Sequence, residues 1–185
     1  MTILRLLPLT FHNPSQRIAM AQLNSFDVTT GVDMQEVDNA VNQSQKEIGQ
    51  RYDFKGSKST IEFQRAEEML ALVADSEYQM KALTDVLWSK LVKRGVPVKN
   101  LDIGEVKPAG GDTVRCEIKL KTSLDTDTAK KVAAAIKEAK IPKVQAAIQA
   151  DQVRVSSPSR DDLQTAMGLL RAGDFGVELK FGNYR

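Results

Sequence analysis

The chain has 185 residues, of which 42% are hydrophobic and 27% charged, a composition typical of a globular protein with one or two domains. Lysine and arginine number 26 and acidic residues 24, so the chain lacks the basic excess of proteins that track a nucleic-acid backbone. His12 is the only histidine and Cys116 the only cysteine. These counts exclude catalytic Ser–His and Cys–His pairs, the usual zinc sites and an intramolecular disulfide from the folded region.

Residues 1–23 are expected to be a disordered extension or to precede the true start of the protein, for which Met20 is the candidate. The stretch before Met20 contains Arg5 and Arg17 and no acid, which leaves 24 charges of each sign in the rest. Arg5 and Pro8 interrupt its apolar core, and no signal-peptidase site follows. Because no apolar run is long enough to span a membrane and cysteine is scarce, we expect a cytoplasmic protein without membrane contact.

The first half of the chain predicts the order strand, helix, strand, strand, helix, strand. Alternating apolar residues favour strands at 25–30 and 59–64, and the segment 69–74 is apolar on both faces. Asp33 is the predicted cap of the first helix, which runs to about Gln50. Asp75 or Ser76 caps the second helix, and Gly95 follows its basic end.

The second half predicts the same order again. Segments 101–106 and 113–121 read as the two arms of one β-hairpin, and Cys116 lies on its inward face. Asp125 caps a helix, strands follow at 144–148 and 153–155, and Ser157 or Ser159 caps a helix that ends at Gly173. A last strand covers 177–181.

This repeated order predicts an α+β protein made of two ferredoxin-like βαββαβ domains, each an antiparallel sheet with helices on one face. The predicted division places the first domain at residues 24–107 and the second at 108–185. It cuts through the predicted hairpin, whose paired arms would tie the two sheets together. We therefore expect two domains that do not separate cleanly.

The open face of each sheet decides whether the chain resembles an RNA recognition module, which stacks bases on aromatic residues of its central strands. The outward residues of the second half are Arg115, Glu117, Lys119, Lys121, Gln152, Arg154 and Ser156. Those of the first half are Ser25, Asp27, Thr29, Met69, Ala71 and Val73. None is aromatic, which disfavours base-stacking readout.

The outward residues Met69, Ala71 and Val73 form an apolar stripe. Such a stripe on an open sheet marks a contact surface, and we expect the second half or a second subunit to cover it. A ligand groove between domains and a docking site for a protein partner are the alternatives.

Five cations and two acids are expected on the open face of the second sheet, namely Arg115, Lys119, Lys121, Arg154 and Lys180 with Glu117 and Glu178. This excess suits a phosphorylated ligand. The alternative is a solvated face with cross-strand ion pairs, and sequence reasoning leaves both open.

Residues 51–57, Arg-Tyr-Asp-Phe-Lys-Gly-Ser, combine aromatic rings, a carboxylate, cations and a glycine in one turn. Such a turn can stack a base, accept hydrogen bonds from a guanine edge and hold a phosphate. Tyr52 and Phe54 can instead plug the core, and we expect this of Phe54. For Asp53 and Lys55 both interpretations stay open.

Five segments resemble the bacterial YajQ family, namely 32–37, 51–58, 91–95, 159–164 and 181–185. The resemblance covers nearly the whole chain after Ser25. It implies two ferredoxin-like domains with exchanged N-terminal strands and a small cytoplasmic nucleotide-binding protein without established catalysis. Family members have been linked to cyclic di-GMP, GTP and tRNA, and some are thought to act through a transcription factor.

The leading hypothesis is a non-enzymatic receptor for a guanine nucleotide, cyclic di-GMP or GTP, that signals through a regulatory partner. The alternatives are an RNA-binding module that contacts phosphates and a protein-interaction adaptor. We expect no cofactor, no metal and no catalytic residue. The candidate ligand-binding residues are Arg51, Asp53, Lys55, Arg115, Arg154 and Arg160.

Overall fold

The computed structural model describes residues 23–185, so the prediction for the leading extension lies outside it except at Leu23. The described chain is an α+β fold with four helices and nine strands. The strands are β1 (Asn24–Thr30), β2 (Thr60–Gln64), β3 (Met69–Ala74), β4 (Leu101–Ile103), β5 (Lys107–Ala109), β6 (Thr113–Leu120), β7 (Gln145–Gln149), β8 (Gln152–Ser157) and β9 (Leu179–Gly182). The helices are α1 (Met34–Gln50), α2 (Glu77–Lys93), α3 (Thr126–Glu138) and α4 (Arg160–Ala172).

All four helices begin at a side-chain cap that the sequence identifies. Asp33 accepts hydrogen bonds from the backbone N–H groups of Gln35 and Glu36, the first at 2.8 Å. Ser76, Asp125 and Ser159 accept from the third residue of their own helices in the same way. These caps satisfy backbone donors that have no partner inside the helix, and they fix where each helix starts.

The strands form two antiparallel sheets. The β1–β8 sheet has the order β7-β8-β1-β9, and the β3–β6 sheet has the order β2-β3-β6-β4, with β5 also paired to β6. Strand β1 pairs with β8 and β9, while β6 pairs with β3 and β4. The first strand of each half of the chain therefore pairs within the sheet of the other half.

Two separate hydrophobic cores follow from this pairing. Helices α1 and α2 pack on the β3–β6 sheet around Leu72, Leu87 and Ile118. Helices α3 and α4 pack on the β1–β8 sheet around Phe26, Val132 and Val155. Each core thus contains residues from both halves of the repeat, and β5 spans the predicted division between 107 and 108.

The predicted hairpin is present but interrupted. Strands β4 and β5 both pair with β6, and the residues between them leave the ladder. Gly104 sits at this break, where a Cβ atom would lie 2.7 Å from the carbonyl oxygen of Glu117. Cys116 on β6 is 3% exposed, as its inward position predicts, and burial raises the pKa of its thiol.

Asn100, which is fully buried, links the two sheets at the point where their connections cross. Its Nδ2 donates to Thr30 Oγ1 at 2.9 Å and to the Lys121 carbonyl at 3.2 Å. Its Oδ1 accepts from the Glu178 N–H at 2.8 Å. Because every polar atom of this amide has a partner, it holds both cores without an unsatisfied buried group.

Candidate functional site

The turn after α1 holds three of the predicted site residues in a fixed arrangement. Arg51 donates to both carboxylate oxygens of Asp53, at 3.0 and 2.6 Å, and its guanidinium lies 5.4 Å from the centre of the Phe54 ring. Phe54 is 4% exposed, which confirms that it plugs the core, whereas Tyr52 is 89% exposed. Lys55 ends the turn and is exposed.

The Arg51–Asp53 pair neutralises the charges that a nucleotide would need. The hydrogen bond from Arg51 lowers the pKa of the Asp53 carboxyl, and the same bond raises the pKa of Arg51. A guanine edge would therefore have to displace a bidentate guanidinium to reach Asp53. Lys55 is the predicted cation of this turn that can bind a ligand without breaking that pair.

Arg115 lies on β6 and pairs with Glu117 on the same strand at 2.9 Å. The two side chains line a groove of about 350 Å³ beside β5. Across the ladder, Arg115 lies opposite Val73 and Glu117 lies opposite Ala71. The apolar stripe of β3 and the charged row of β6 are thus neighbours on one open face.

Arg154 lies on β8 and forms a bidentate ion pair with Asp27 on β1, at 2.7 and 2.9 Å. Asp27 is 1% exposed, although it lies on the open side of the sheet, and its carboxylate also accepts from Asn183. The Arg154 hydrogen bond, partly opposed by burial, lowers the pKa of Asp27. Arg154 and Asn183 both donate to the Asp27 carboxylate, so these hydrogen bonds join β8, β1 and the C-terminal segment.

The prediction of one basic sheet face that contains Arg115, Lys119, Arg154 and Lys180 is wrong. Arg115 and Lys119 belong to the β3–β6 sheet, and Arg154 and Lys180 belong to the β1–β8 sheet. The error arises because alternation within a strand gives the face of a side chain but not the sheet that the strand joins. The same pairing separates Ser25, Asp27 and Thr29 from Met69, Ala71 and Val73.

Arg160, the sixth predicted residue, lines a cleft of about 300 Å³ between β1, α4 and the C-terminal segment. We call it the Tyr184 cleft. Its lining consists of Asn24, Ser25, Phe26, Arg160, Leu163, Gln164, Met167, Tyr184 and Arg185. The cleft therefore combines the Tyr184 ring, the Arg160 guanidinium, two amides and an apolar floor, and Arg185 borders it.

Backbone pairing holds the C-terminal segment at this cleft. The N–H of Arg185 donates to the Ser25 carbonyl at 3.0 Å, and the N–H of Ser25 donates to the Arg185 carbonyl at 3.1 Å. The Tyr184 hydroxyl lies 3.8 Å from Met167 Sδ, and its ring lies 6.4 Å from that of Phe26. Tyr184 is thus anchored at its edge and tip while 58% of its surface stays exposed.

Asn24 positions the guanidinium at the other end of the Tyr184 cleft. Its Oδ1 accepts from Arg160 Nε at 3.1 Å, and its Nδ2 donates to the Pro158 carbonyl at 3.2 Å. Arg160 is the first residue of α4, and within residues 23–185 the hydrogen bond of its guanidinium to a side chain is the one from Nε to Asn24, which leaves the terminal nitrogens for a ligand. Asp161 and Asp162 follow in the same turn and moderate the positive charge.

Comparison with known proteins identifies the family. The family model described as "Nucleotide-binding protein YajQ-like" matches residues 24–185. The chain belongs to the YajQ-like family. A "Nucleotide-binding protein" of Desulfitobacterium hafniense is 51% identical over 166 residues, which cover 90% of this chain and all of that protein. Similar proteins, also called "Nucleotide-binding protein", occur in Chloroherpeton thalassium (46% identical) and Bacillus cereus (49%), with the same coverage.

Membership in the YajQ-like family confirms the resemblance carried by the segments around residues 51–58 and 159–164. The matched region starts at Asn24 and ends at Arg185, so it includes every residue of the Tyr184 cleft. Within residues 23–185, no helix is both long and apolar enough to cross a bilayer.

Sequence reasoning missed most of the Tyr184 cleft. It selected Arg160 but not Asn24, Gln164, Tyr184 or Arg185. The segment 181–185 was singled out only as part of the family resemblance, and its pairing with Ser25 bridges 160 residues of chain. An aromatic residue next to an arginine at the end of the chain is the one local signal that points there.

Proposed function

We propose that this member of the YajQ-like family is a non-enzymatic receptor that binds a guanine nucleotide, cyclic di-GMP, in the Tyr184 cleft. The observation that carries the proposal is the convergence of the exposed Tyr184 ring with the Arg160 guanidinium over an apolar floor. The names of its relatives, which describe nucleotide-binding proteins, support the ligand class.

Each part of a guanine nucleotide has a matching group in the Tyr184 cleft. The purine stacks on the Tyr184 ring, a contact worth about 1–3 kcal/mol per base in single-stranded nucleic-acid complexes. A guanidinium donates to both O6 and N7 of guanine. Adenine has an amino donor in place of O6 and cannot accept both hydrogen bonds. Arg185 borders the cleft, and its guanidinium pairs with a phosphodiester outside it.

Charge and size favour cyclic di-GMP over GTP. Two guanidinium groups match two singly charged phosphodiesters, whereas a triphosphate would bring more negative charge to a turn that already contains Asp161 and Asp162. A cleft of about 300 Å³ is at the lower end of the size range of small-molecule sites and suits one guanosine unit. The second unit then lies outside, where a transcription factor or another regulatory partner can contact it.

Most of the other predicted site residues are engaged in ion pairs and contribute little to this proposal, and the exposed Tyr52 supports the alternative. Asp53 is paired with Arg51, Arg154 with Asp27 and Arg115 with Glu117. Tyr52, at 89% exposure beside Lys55, is the observation that favours RNA binding through stacking and phosphate contacts. RNA is therefore included as a competing ligand in the test.

The test is calorimetric titration of the full chain with cyclic di-GMP, cyclic di-AMP, GTP and a short single-stranded RNA at two salt concentrations. We expect saturable cyclic di-GMP binding, at least about tenfold weaker for Tyr184→Ala and for Arg160→Ala. Tyr52→Ala removes another exposed tyrosine, one outside the cleft, and is the matched control. Equal binding by Tyr184→Ala and wild type, or binding of RNA alone with a steep salt dependence, would refute the proposal.

A further inference from the structure

Strand β7 is an unguarded edge of the β1–β8 sheet. It pairs with β8 on one side only, and within residues 23–185 no strand pairs with its other side. Its sequence, Gln-Ala-Ala-Ile-Gln, has no charge and no proline. Four of its five residues are exposed, and Ile148 retains 44% of its surface. Such an edge is a template for a further strand.

The other sheet edges in the described chain are blocked. On β2, the Gln45 side chain donates to the Ile61 carbonyl at 2.6 Å. The edge formed by β4 and β5 is broken between Ile103 and Lys107, and Pro108 has no N–H group. Strand β9 is short and carries the exposed Lys180. Because the same chain protects three edges, the open fourth edge indicates a binding function.

An apolar groove runs beside the free edge. It measures about 470 Å³ and lies between α3 and β7, lined by Ala133, Ala134, Ile136, Lys137, Val144, Gln145 and Ala146. Ala146 and Ile148 lie opposite Val155 and Val153, so they face the helix side of the sheet. A strand added to β7 would place alternate side chains over this groove.

The charge around the groove specifies its occupant. Residues 130–149 contain five lysines and a single acid, Glu138. Lys137 lines the groove, and Lys140 and Lys143 are exposed in the connection to β7. A second copy docked edge to edge would bring two sets of these lysines together. Residues 1–22 include Arg5 and Arg17 and no acid, so they do not complement the groove either.

We propose that the β7 edge binds an acidic, extended segment of a partner protein by strand addition. The backbone of the segment pairs with β7, its apolar side chains enter the α3–β7 groove, and its carboxylates contact Lys137, Lys140 and Lys143. This surface is separate from the Tyr184 cleft and does not depend on nucleotide binding.

The test uses the full chain and a fluorescent synthetic peptide of alternating glutamate and valine. We expect the triple charge reversal of Lys137, Lys140 and Lys143 to glutamate to weaken binding at least about tenfold. The matched control reverses Lys46, Lys81 and Lys119, which are three exposed lysines of α1, α2 and β6, and should bind like wild type. Binding of the peptide should also slow amide hydrogen exchange in residues 145–149.

Three results would overturn the proposal. They are the absence of peptide binding to wild type, equal loss of binding in both triple variants, and binding that leaves exchange at 145–149 unchanged. A peptide of alternating lysine and valine that binds as well as the acidic one would contradict the charge argument. A concentration-dependent dimer that protects 145–149 without peptide would assign the edge to a second copy.

Discussion

Asp27 shows how one residue can look like a binding group in the sequence and be structural in the fold. Its carboxylate is 1% exposed and accepts from Arg154 and Asn183. Removing a single partner from a buried ion pair leaves an uncompensated charge, which costs far more than the pair itself contributes. Charge reversal of Arg154 therefore tests stability and not ligand binding.

We predict that Arg154→Ala lowers Tm by about 5–10 °C and that Asp27→Asn in the same chain recovers part of the loss. The pH dependence has a definite sign. Because the folded pKa of Asp27 lies below its ordinary value of 3.8, the unfolded chain binds that proton more readily. The stabilisation is complete above this value and is lost as the pH falls through the folded pKa. Thermal melts at pH 7 and below pH 4 measure both effects.

Two results of these thermal melts would contradict the prediction. If Asp27→Asn retains the full acid sensitivity of wild type, another carboxylate is responsible. If Arg154→Ala melts at the wild-type temperature, the bidentate pair contributes nothing to the fold.

Gly31 is the residue at which the two sheet connections touch. Its φ is +149°, and a Cβ atom there would lie 2.5 Å from the carbonyl oxygen of Thr122. Gly31→Ala should lower the free energy of unfolding by about 2–4 kcal/mol, because neither backbone can yield easily. Gly49→Ala is the matched control, since Gly49 lies in α1 and a methyl group there would have no atom within 4 Å.

The Gly49 change should raise the free energy of unfolding by up to about 1 kcal/mol through helix propensity. Urea denaturation measures both variants. A Gly31→Ala protein as stable as wild type would show that the crossing connections are not in close contact.

At the scale of elements, the sequence predicted local structure well and pairing poorly. Periodicity and caps located the strands and helices of both halves, and the Ser76, Asp125 and Ser159 caps lie where the patterns place them. Those signals are local, since they depend on residues within one or two turns. They contain nothing about whether β6 pairs with β3 or with β8.

The candidate site depends on which strands pair, and for that reason it was predicted less well than the helices and strands. Arg115 and Arg154 alternate outward on strands of the same half, which groups them in the sequence, yet they lie on different sheets. The Tyr184 cleft forms only when the C-terminal segment pairs with Ser25 and α4 packs on β1. Of its lining, the sequence pointed to Arg160 alone, and the role of Arg160 depends on Asn24, which is 136 residues away.

At the scale of the whole molecule, the Asn100 amide connects the two hydrophobic cores, which are built from separate sets of residues. Replacing it with alanine leaves the Glu178 N–H and the Lys121 carbonyl without their partner. We predict that Asn100→Ala lowers the free energy of unfolding by about 2–4 kcal/mol. It should also separate the unfolding of the two cores into two transitions.

Trp88 fluorescence follows the core of the β3–β6 sheet, and hydrogen exchange of Val153 and Val155 follows the other core. Asn39→Ala, which removes a hydrogen bond within α1, is the control and should unfold in one step. Coincident transitions in Asn100→Ala would show that the coupling lies elsewhere.

The measurement that tests the central claim most directly is an NMR titration of the full chain with cyclic di-GMP. The cleft assignment predicts saturable amide shifts that concentrate in residues 24–26, 160–167 and 184–185. The same titration of Tyr184→Ala should show them only at much higher ligand concentration. Shifts centred on residues 51–58 or on Arg115, with no change in the amide resonances of the cleft, would contradict the assignment. They would place the nucleotide on the β3–β6 sheet and its helices.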